Sequence, residues 1–264
     1  MKTVAGAEVD IARPKNPNAL TFILTGANLD IENYRSIKEC LLKLGHVVVS
    51  FYINVLMPPI KNHRKKAKQV KEIFLILNNE FKFDCYNIIG HSVGGKIALM
   101  VASLHNTDNK LGRVLALDPV DQSPVEFTKK SGNLSLNNIG DVKITMTCTG
   151  NCSFLSDDHN ANAILKKQRS TDQVKVVNHK GASHMAYCDE VEVGVFSWKK
   201  CLDEGNGFKN KAVKEETLNT ISEKFNACLL TSAFTKVQNA NFKVADKVGG
   251  TVTKSLGDIG SFFR

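Results

Sequence analysis

The sequence predicts an α/β protein built on a mostly parallel, doubly wound sheet. Short apolar runs rich in β-branched residues alternate along the chain with segments of helical period. This alternation is typical of a parallel sheet whose two faces are covered by helices. With 264 residues, of which 42% are hydrophobic, the chain is long and apolar enough to bury such a sheet in one large domain.

The N-terminal half begins the alternation. Residues 20–25 are all apolar or β-branched and form the first predicted strand. Apolar residues within 37–44 then recur at helical spacing, and Gly45 ends that helix. Residues 47–51 form the second strand, and helical spacing returns at residues 70–77.

The C-terminal half repeats the same unit. A strand at residues 86–89 leads into a helix at residues 96–102. Further strands are predicted at residues 114–117, 142–147 and 174–177. Ligands bind at the carboxyl ends of the strands in sheets of this kind, so the candidate functional residues are expected there.

Three segments fall outside this alternation. Residues 1–17 are predicted to be an N-terminal extension, ahead of the folded domain at residues 18–229. Within that domain, the loop-like segment 119–140 has little room for a helical lid, so we expect an open cleft. Residues 230–264 differ in composition and are predicted to form a separate tail.

The tail carries apolar residues at steps of three, four and seven, close to an eleven-residue helical period. They are Phe234, Val237, Val244, Val248, Val252, Ile259 and Phe263, and lysines at 236, 243, 247 and 254 lie on the other face. A basic polar face with low net hydrophobicity is typical of a helix that lies in a membrane or lipid-droplet surface. A tail that never orders and a helix packed on the folded domain are the alternatives.

Part of the net charge of +9 comes from residues 61–68, a basic cluster at the start of a predicted helix. A solvated helix start and attraction to an anionic membrane surface are both interpretations of such a cluster. It has no interleaved aromatic residues and no RNA-binding signature, so we expect no nucleic-acid partner. The oligomeric state has no signal in the sequence.

The N-terminus and the cysteines favour a reducing compartment. Residues 1–12 lack the apolar core of a secretory signal, and no apolar run reaches transmembrane length. The seven cysteines are scattered, and we interpret the closest pair, Cys148 and Cys152, as reduced thiols rather than a metal site. We therefore expect a cytoplasmic protein with no metal, able to associate peripherally with a membrane or lipid droplet.

The pentapeptide Gly90-His91-Ser92-Val93-Gly94 lies between a predicted strand and a predicted helix. A serine between two glycines at such a turn is typical of a nucleophile elbow. Side chains two residues before or after the serine would collide with the strand or the helix, and glycine removes that clash. Ser92 is therefore the candidate nucleophile.

A serine nucleophile needs a histidine to accept its proton and a carboxylate to orient that histidine. After an elbow of this kind, the acid and then the histidine follow the serine along the chain. Four histidines come too early for that order, and one falls in a polar loop: His46, His63, His91 and His105, and His159. His184 follows the last strand among small residues and is the candidate base; His179, or a structural role, is the alternative.

The candidate acid is Asp118, at the end of its strand in the segment Leu117-Asp118-Pro119-Val120-Asp121. Asp157 and Asp158 follow the next strand and are the alternatives. That strand ends in residues 149–153, which contain no carboxylate, and this favours Asp118. A turn or N-cap role for an aspartate before proline is the structural alternative.

These segments resemble the chlorophyllase family of α/β-hydrolases and, more broadly, its cutinase-like relatives. The similar segments are the elbow at 90–96, the acid segment at 117–121 and the histidine context Ser183-His184-Met185, and the resemblance covers about residues 18–200. It implies the α/β-hydrolase fold and cleavage of a carboxylic ester of an apolar, lipid-like substrate, without a cofactor. It also supports Asp118 as the acid.

The chain departs from that family at two positions. The family usually has arginine where Val93 stands, and a His-Gly pair where Thr25-Gly26-Ala27-Asn28 stands. The second loop supplies one amide of the oxyanion hole, so we expect the backbone N–H of Val93 and that of Ala27 or Asn28 to fill this role. The change at Val93, together with an N-terminus unlike a transit peptide, favours an ester other than chlorophyll.

Two other functions use the same fold. A relative that has lost turnover would bind a lipid or a partner in its cleft. A thioesterase or acyltransferase would use the same three residues on an acyl thioester.

Overall fold

The computed structural model describes residues 2–53, 60–104, 110–121, 134–149, 160–168, 172–189 and 210–225. In these ranges the strands are β1 Lys2–Val4, β2 Ala7–Ala12, β3 Ala19–Leu24, β4 His46–Phe51, β5 Tyr86–His91, β6 Leu111–Leu117, β7 Lys143–Cys148 and β8 Val174–Asn178. The helices are α1 Arg35–Lys43, α2 Ile60–Phe81, α3 Val93–Leu104, α4 Ala161–Lys166 and α5 at residues 210–225. Two 3-10 helices span Ile31–Tyr34 and His184–Tyr187.

The strands form one 8-stranded sheet in the order β1-β2-β4-β3-β5-β6-β7-β8. All neighbours from β4 to β8 in this order pair in parallel. The predicted mostly parallel sheet is therefore confirmed. Because β3 lies between β4 and β5, the chain changes direction across the sheet at β3, and the carboxyl ends of β3 and β5 flank the crevice where ligands bind in such folds.

Two strands form within the N-terminal extension predicted for residues 1–17. β2 pairs antiparallel with β4, with Val9 opposite Phe51, and β1 pairs antiparallel with β2. Ala7 and Val9 are buried while Glu8 between them is exposed, which is the alternation of a half-buried strand. These residues are thus part of the sheet.

Helices cover both faces of the sheet. Alternate residues of β3 and β4 point to opposite faces, so that Phe22 and Val49 pack with α2 and α3 while Ile23 and Val48 pack with α1 and α5. Gly45, at φ 84°, follows the last turn of α1, as the sequence predicts.

The chain divides into two compact units, residues 1–226 and 227–264. The second unit, and with it the predicted tail at 230–264, lies outside the described residues, as does the part of the predicted lid-free loop from 122 to 133. No helix in the described ranges is long and apolar enough to cross a membrane. Cys85 is disulfide-bonded, which the sequence did not predict. Cys40, Cys148 and Cys188 form no disulfide, as expected for Cys148, whereas Cys152 lies outside the described residues.

Candidate active site

Ser92 lies on the turn between β5 and α3 with φ 55°, a left-handed conformation that is strained for a residue with a side chain. Flanking glycines make the turn possible. A Cβ on Gly90 would come within 2.3 Å of the Gly94 carbonyl oxygen, and one on Gly94 would come within 2.3 Å of the Leu24 carbonyl oxygen. The close approach of α3 to the ends of β3 and β5 therefore requires glycine at both positions.

Backbone hydrogen bonds hold the serine in this conformation. The Ser92 amide donates to the carbonyl oxygen of Leu117 at 2.9 Å, so the elbow is tied to the end of β6. The Ser92 carbonyl oxygen accepts from the amides of Lys96, at 3.1 Å, and Val120, at 3.2 Å. The Ser92 side chain is half-buried at the carboxyl edge of the sheet.

Asp118 follows β6 directly and contacts His184, with 2.8 Å between its Oδ2 atom and the His184 Nδ1 atom. The Thr149 hydroxyl donates to Oδ2 at 2.7 Å and the Thr149 amide donates to Oδ1 at 3.2 Å. Burial alone would raise the pKa of Asp118, but the hydrogen bonds from His184 and Thr149 outweigh it and hold that pKa below its usual value. The carboxylate is therefore ionised and fixes a proton on His184 Nδ1, which leaves Nε2 free to act as a base.

His184 begins the 3-10 helix after β8, and its side chain is buried. The loop is held from two sides: the Ser183 amide donates to the Asn210 side-chain oxygen at 2.8 Å, and the His184 carbonyl oxygen lies 2.9 Å from His91 Nε2. Since His91 precedes Ser92, this contact brings the base loop against the elbow.

The alternative residues take other positions or are not described. His179 Nδ1 lies 3.7 Å from Glu216 Oε2, whereas the histidine in contact with Asp118 is His184. Asp157 and Asp158 lie outside the described residues. The Asp118 side chain accepts hydrogen bonds from His184 and Thr149 rather than capping a turn of its own segment.

The backbone amides predicted for the oxyanion hole are not equivalent. The Asn28 amide donates to the Ile53 carbonyl oxygen at 3.1 Å, and the Gly26 amide donates to the Tyr34 hydroxyl at 2.8 Å. The amides of Ala27 and Val93 have no acceptor within the described part of the chain. This pattern favours Ala27 over Asn28 as the partner of Val93 in holding an oxyanion.

Three residues that contact the candidate site were not predicted from the sequence: Thr149, Tyr34 and His91. Thr149 stands at the strand end where no carboxylate is found, and it supplies donors to Asp118 from 31 residues away. Tyr34 and His91 make a hydrogen bond across 57 residues. Within the described ranges, no group of three His, Cys, Asp or Glu residues is placed to hold a metal ion.

Several solved structures that share this architecture are named as esterases or hydrolases. Est1E from Butyrivibrio proteoclasticus is 14% identical, with a TM-score of 0.51 over 83% of this chain and 97% of its own. The esterase domain of a Rhodothermus marinus protein is 13% identical, with a TM-score of 0.53 over 82% and 92%. An alpha-beta serine hydrolase homologue from Coxiella burnetii is 17% identical, with a TM-score of 0.50 over 79% and 90%.

The sheet order and this likeness show that the chain has the α/β-hydrolase fold. No protein-family model matches the chain, and no curated protein matches it in sequence. At these identities the solved structures establish the fold alone.

Proposed function

We propose that this chain is a serine hydrolase that cleaves carboxylic esters. The observation that carries the proposal is the 2.8 Å contact between Asp118 and His184, together with the strained elbow serine whose amide is hydrogen-bonded to Leu117, the residue before Asp118. Ser92 Oγ attacks the acyl carbon while His184 Nε2 takes its proton, and His184 then returns that proton to the leaving alcohol. Water, activated by the same histidine, releases the acid from the acyl-enzyme.

Asp118 and the free amides support the charges that develop in this reaction. The ionised carboxylate stabilises the imidazolium that forms when His184 takes the proton. The Val93 and Ala27 amides are available for the negative oxygen of the tetrahedral intermediate. No step of this scheme needs a metal or an organic cofactor.

An apolar ester is the substrate class that we propose. The resemblance of residues 90–96 and 117–121 to chlorophyllase-like and cutinase-like hydrolases supports it, and several neighbours in fold carry the name esterase. A panel of p-nitrophenyl esters of short and long chain, together with acyl-CoA, tests this choice. Turnover of acyl-CoA alone would instead favour the thioesterase or acyltransferase reaction, and lipid binding without turnover would favour a non-catalytic binding protein.

A fluorophosphonate probe tests the nucleophile directly. We expect the purified protein to be labelled, and Ser92→Ala to abolish the labelling. Ser103→Ala is the matched control, because Ser103 lies on α3 and donates only to the Met100 carbonyl oxygen of its own helix at 3.0 Å. A folded wild-type protein that stays unlabelled would overturn the proposed function.

We further propose that an anionic lipid surface presents the substrate. Arg64, Lys65 and Lys68 are exposed on the N-terminal half of α2, which follows the carboxyl end of β4. Each basic residue near such a surface contributes about 1 kcal/mol to binding, and salt screens the attraction.

Changing Arg64, Lys65 and Lys68 to Glu should weaken binding to vesicles containing phosphatidylserine at low salt. The same changes at the exposed Lys143, Lys175 and Lys180 are the charge-matched control, and equal binding by both variants would contradict the proposal.

A further inference from the structure

A series of buried hydrogen bonds, called here the hydrogen-bond chain, connects three loops of the candidate site. They are the oxyanion loop at residues 25–28, the nucleophile elbow at residues 90–94 and the base loop at residues 179–189, which carries His184. The Gly26 amide lies 2.8 Å from the Tyr34 hydroxyl oxygen, and that oxygen lies 2.7 Å from His91 Nδ1. On the other side of the imidazole ring, His91 Nε2 lies 2.9 Å from the His184 carbonyl oxygen. The side chains of Tyr34 and His91 are both almost completely buried.

The direction of every bond in this chain follows from its two ends. An amide can only donate, so the Tyr34 oxygen accepts from Gly26. A carbonyl oxygen can only accept, so His91 Nε2 carries the proton that faces His184. Nδ1 of a neutral ring is then an acceptor, so the Tyr34 hydroxyl donates to it and His91 is in its Nε2–H tautomer.

The surroundings keep both side chains in the required form. Burial, assisted by the neighbouring His184, lowers the pKa of His91 to about 3. Burial also raises the pKa of Tyr34 well above its usual value, so its hydroxyl remains a donor. The Cys188 thiol is a further neighbour, 3.7 Å from His91 Nδ1.

The two ends of the hydrogen-bond chain lie in different parts of the proposed catalytic machinery. Gly26 precedes Ala27, whose amide is available for the oxyanion, and His184 is the proposed base. His91 itself precedes the nucleophile. The packing is tight at this point, because a Cβ on Gly26 would lie 3.1 Å from His91 Nδ1 and 3.3 Å from the Tyr34 oxygen.

We propose that Tyr34 and His91 are positioning residues. They hold the oxyanion loop, the nucleophile elbow and the base loop at fixed positions relative to one another. The inference rests on the proposed function, since these relative positions matter only if the loops share a reaction. Neither side chain transfers a proton to the substrate. Their effect passes through the backbone of Gly26 and His184, and small displacements of reacting groups have large effects on turnover.

Four variants separate positioning from general stability. Tyr34→Phe and His91→Leu break the chain, and we expect each to lower kcat about 10- to 100-fold with KM within about twofold of wild type. His91→Gln retains one acceptor and one donor on a planar group, so it should recover much of the lost kcat. Tyr86→Phe is the matched control, because Tyr86 begins β5, at the opposite end of that strand from the elbow, and its ring packs against Phe22 and Phe74.

Nitrogen NMR of the histidine rings provides a measurement that does not depend on turnover. We expect His91 to stay in the Nε2–H tautomer from pH 5 to 8, and Tyr34→Phe to shift the ring resonances of both His91 and His184. If the wild type is folded but unreactive, the proposed function fails and these spectra alone decide whether the chain couples the loops.

Three results would overturn the inference. They are a proton on His91 Nδ1, His184 resonances unchanged by Tyr34→Phe, and a folded Tyr34→Phe enzyme whose kcat stays within twofold of wild type. Thermal unfolding of each variant shows whether it is folded. If His91→Leu fails to fold, the milder Tyr34→Phe and His91→Gln variants carry the test.

Discussion

At the scale of single residues, the candidate site depends on how many donors converge on one carboxylate. Asp118 accepts from His184 and twice from Thr149. Asp118→Asn presents an amide to His184 and favours the wrong tautomer, so we expect kcat to fall by about 10⁴. Steady-state kinetics on a p-nitrophenyl ester measures this loss.

Two comparisons with other variants test the assignment of Asp118 as the acid. Thr149→Val removes one donor but keeps the carboxylate, so it should lower kcat far less than Asp118→Asn does. Asp157→Asn and Asp158→Asn should be mild. A near-normal rate for Asp118→Asn would assign the acid to another residue.

The sequence predicts those site residues whose chemistry shows in a local pattern. Ser92 is recognisable from glycines two positions away, and Asp118 and His184 from their places after strands. Tyr34 and Thr149 have no such pattern, because their partners are 57 and 31 residues distant. Such partnerships arise only when separate strands place their ends side by side.

At the scale of elements, a buried ion pair joins the elbow helix to the segment after the acid. Lys96 Nζ on α3 lies 3.0 Å from Asp121 Oδ1, and both side chains are almost completely buried. The Lys96 ammonium group is within ion-pair distance of Asp121 Oδ1, but the two are not aligned as a hydrogen bond. Asp121 Oδ2 accepts a hydrogen bond from the Leu134 amide at 3.3 Å. The pair fixes α3, and hence Ser92, relative to Asp118.

Removing one partner of this pair should cost far more than removing both. Lys96→Met leaves Asp121 as a buried uncompensated charge, so we expect it to lower the free energy of unfolding by about 3–5 kcal/mol. The double variant Lys96→Met with Asp121→Leu should recover a large part of this loss. Urea denaturation measures both, and additive losses in the double variant would argue against a coupled pair.

Helix α5 was not predicted from the sequence, although its buried residues recur at steps of four, which is helical spacing. Its buried residues Val213, Ile221 and Phe225 cover one face of the sheet, and Lys214 pairs with Asp189 at the end of the base loop. Asp189 also accepts from the Ser36 amide at 2.8 Å. The partners of α5 precede it in sequence and lie in other elements, so its place follows from packing rather than from its own sequence.

At the scale of the whole molecule, three buried neutral histidines should make stability depend on pH. Burial lowers the pKa of His46 and His63 to about 4 and that of His91 to about 3, from 6.5. Lys96 adds to the effect on His63. Below pH 6.5 the unfolded chain binds protons that the folded chain does not, so stability is full above that pH and falls as the pH drops towards 4.

The expected loss is about 2 kcal/mol for each of these histidines between pH 7 and pH 5. Urea denaturation at the two pH values measures it. His63→Leu should remove about a third of the loss. It should not destabilise the protein at pH 7, because neither ring nitrogen of His63 has a hydrogen-bond partner among the described residues. Equal free energies of unfolding at both pH values would show that these histidines titrate normally.

The left-handed backbone of Ser92 has an evolutionary consequence. Glycine adopts φ 55° without the penalty that a Cβ brings, so Ser92→Gly should be more stable than Ser92→Ala by roughly 1 kcal/mol, measured by urea denaturation. The candidate nucleophile therefore stands where the backbone itself would favour glycine. Selection for stability alone would favour glycine at this position, so the strain at Ser92 is the penalty that the proposed function places on the fold.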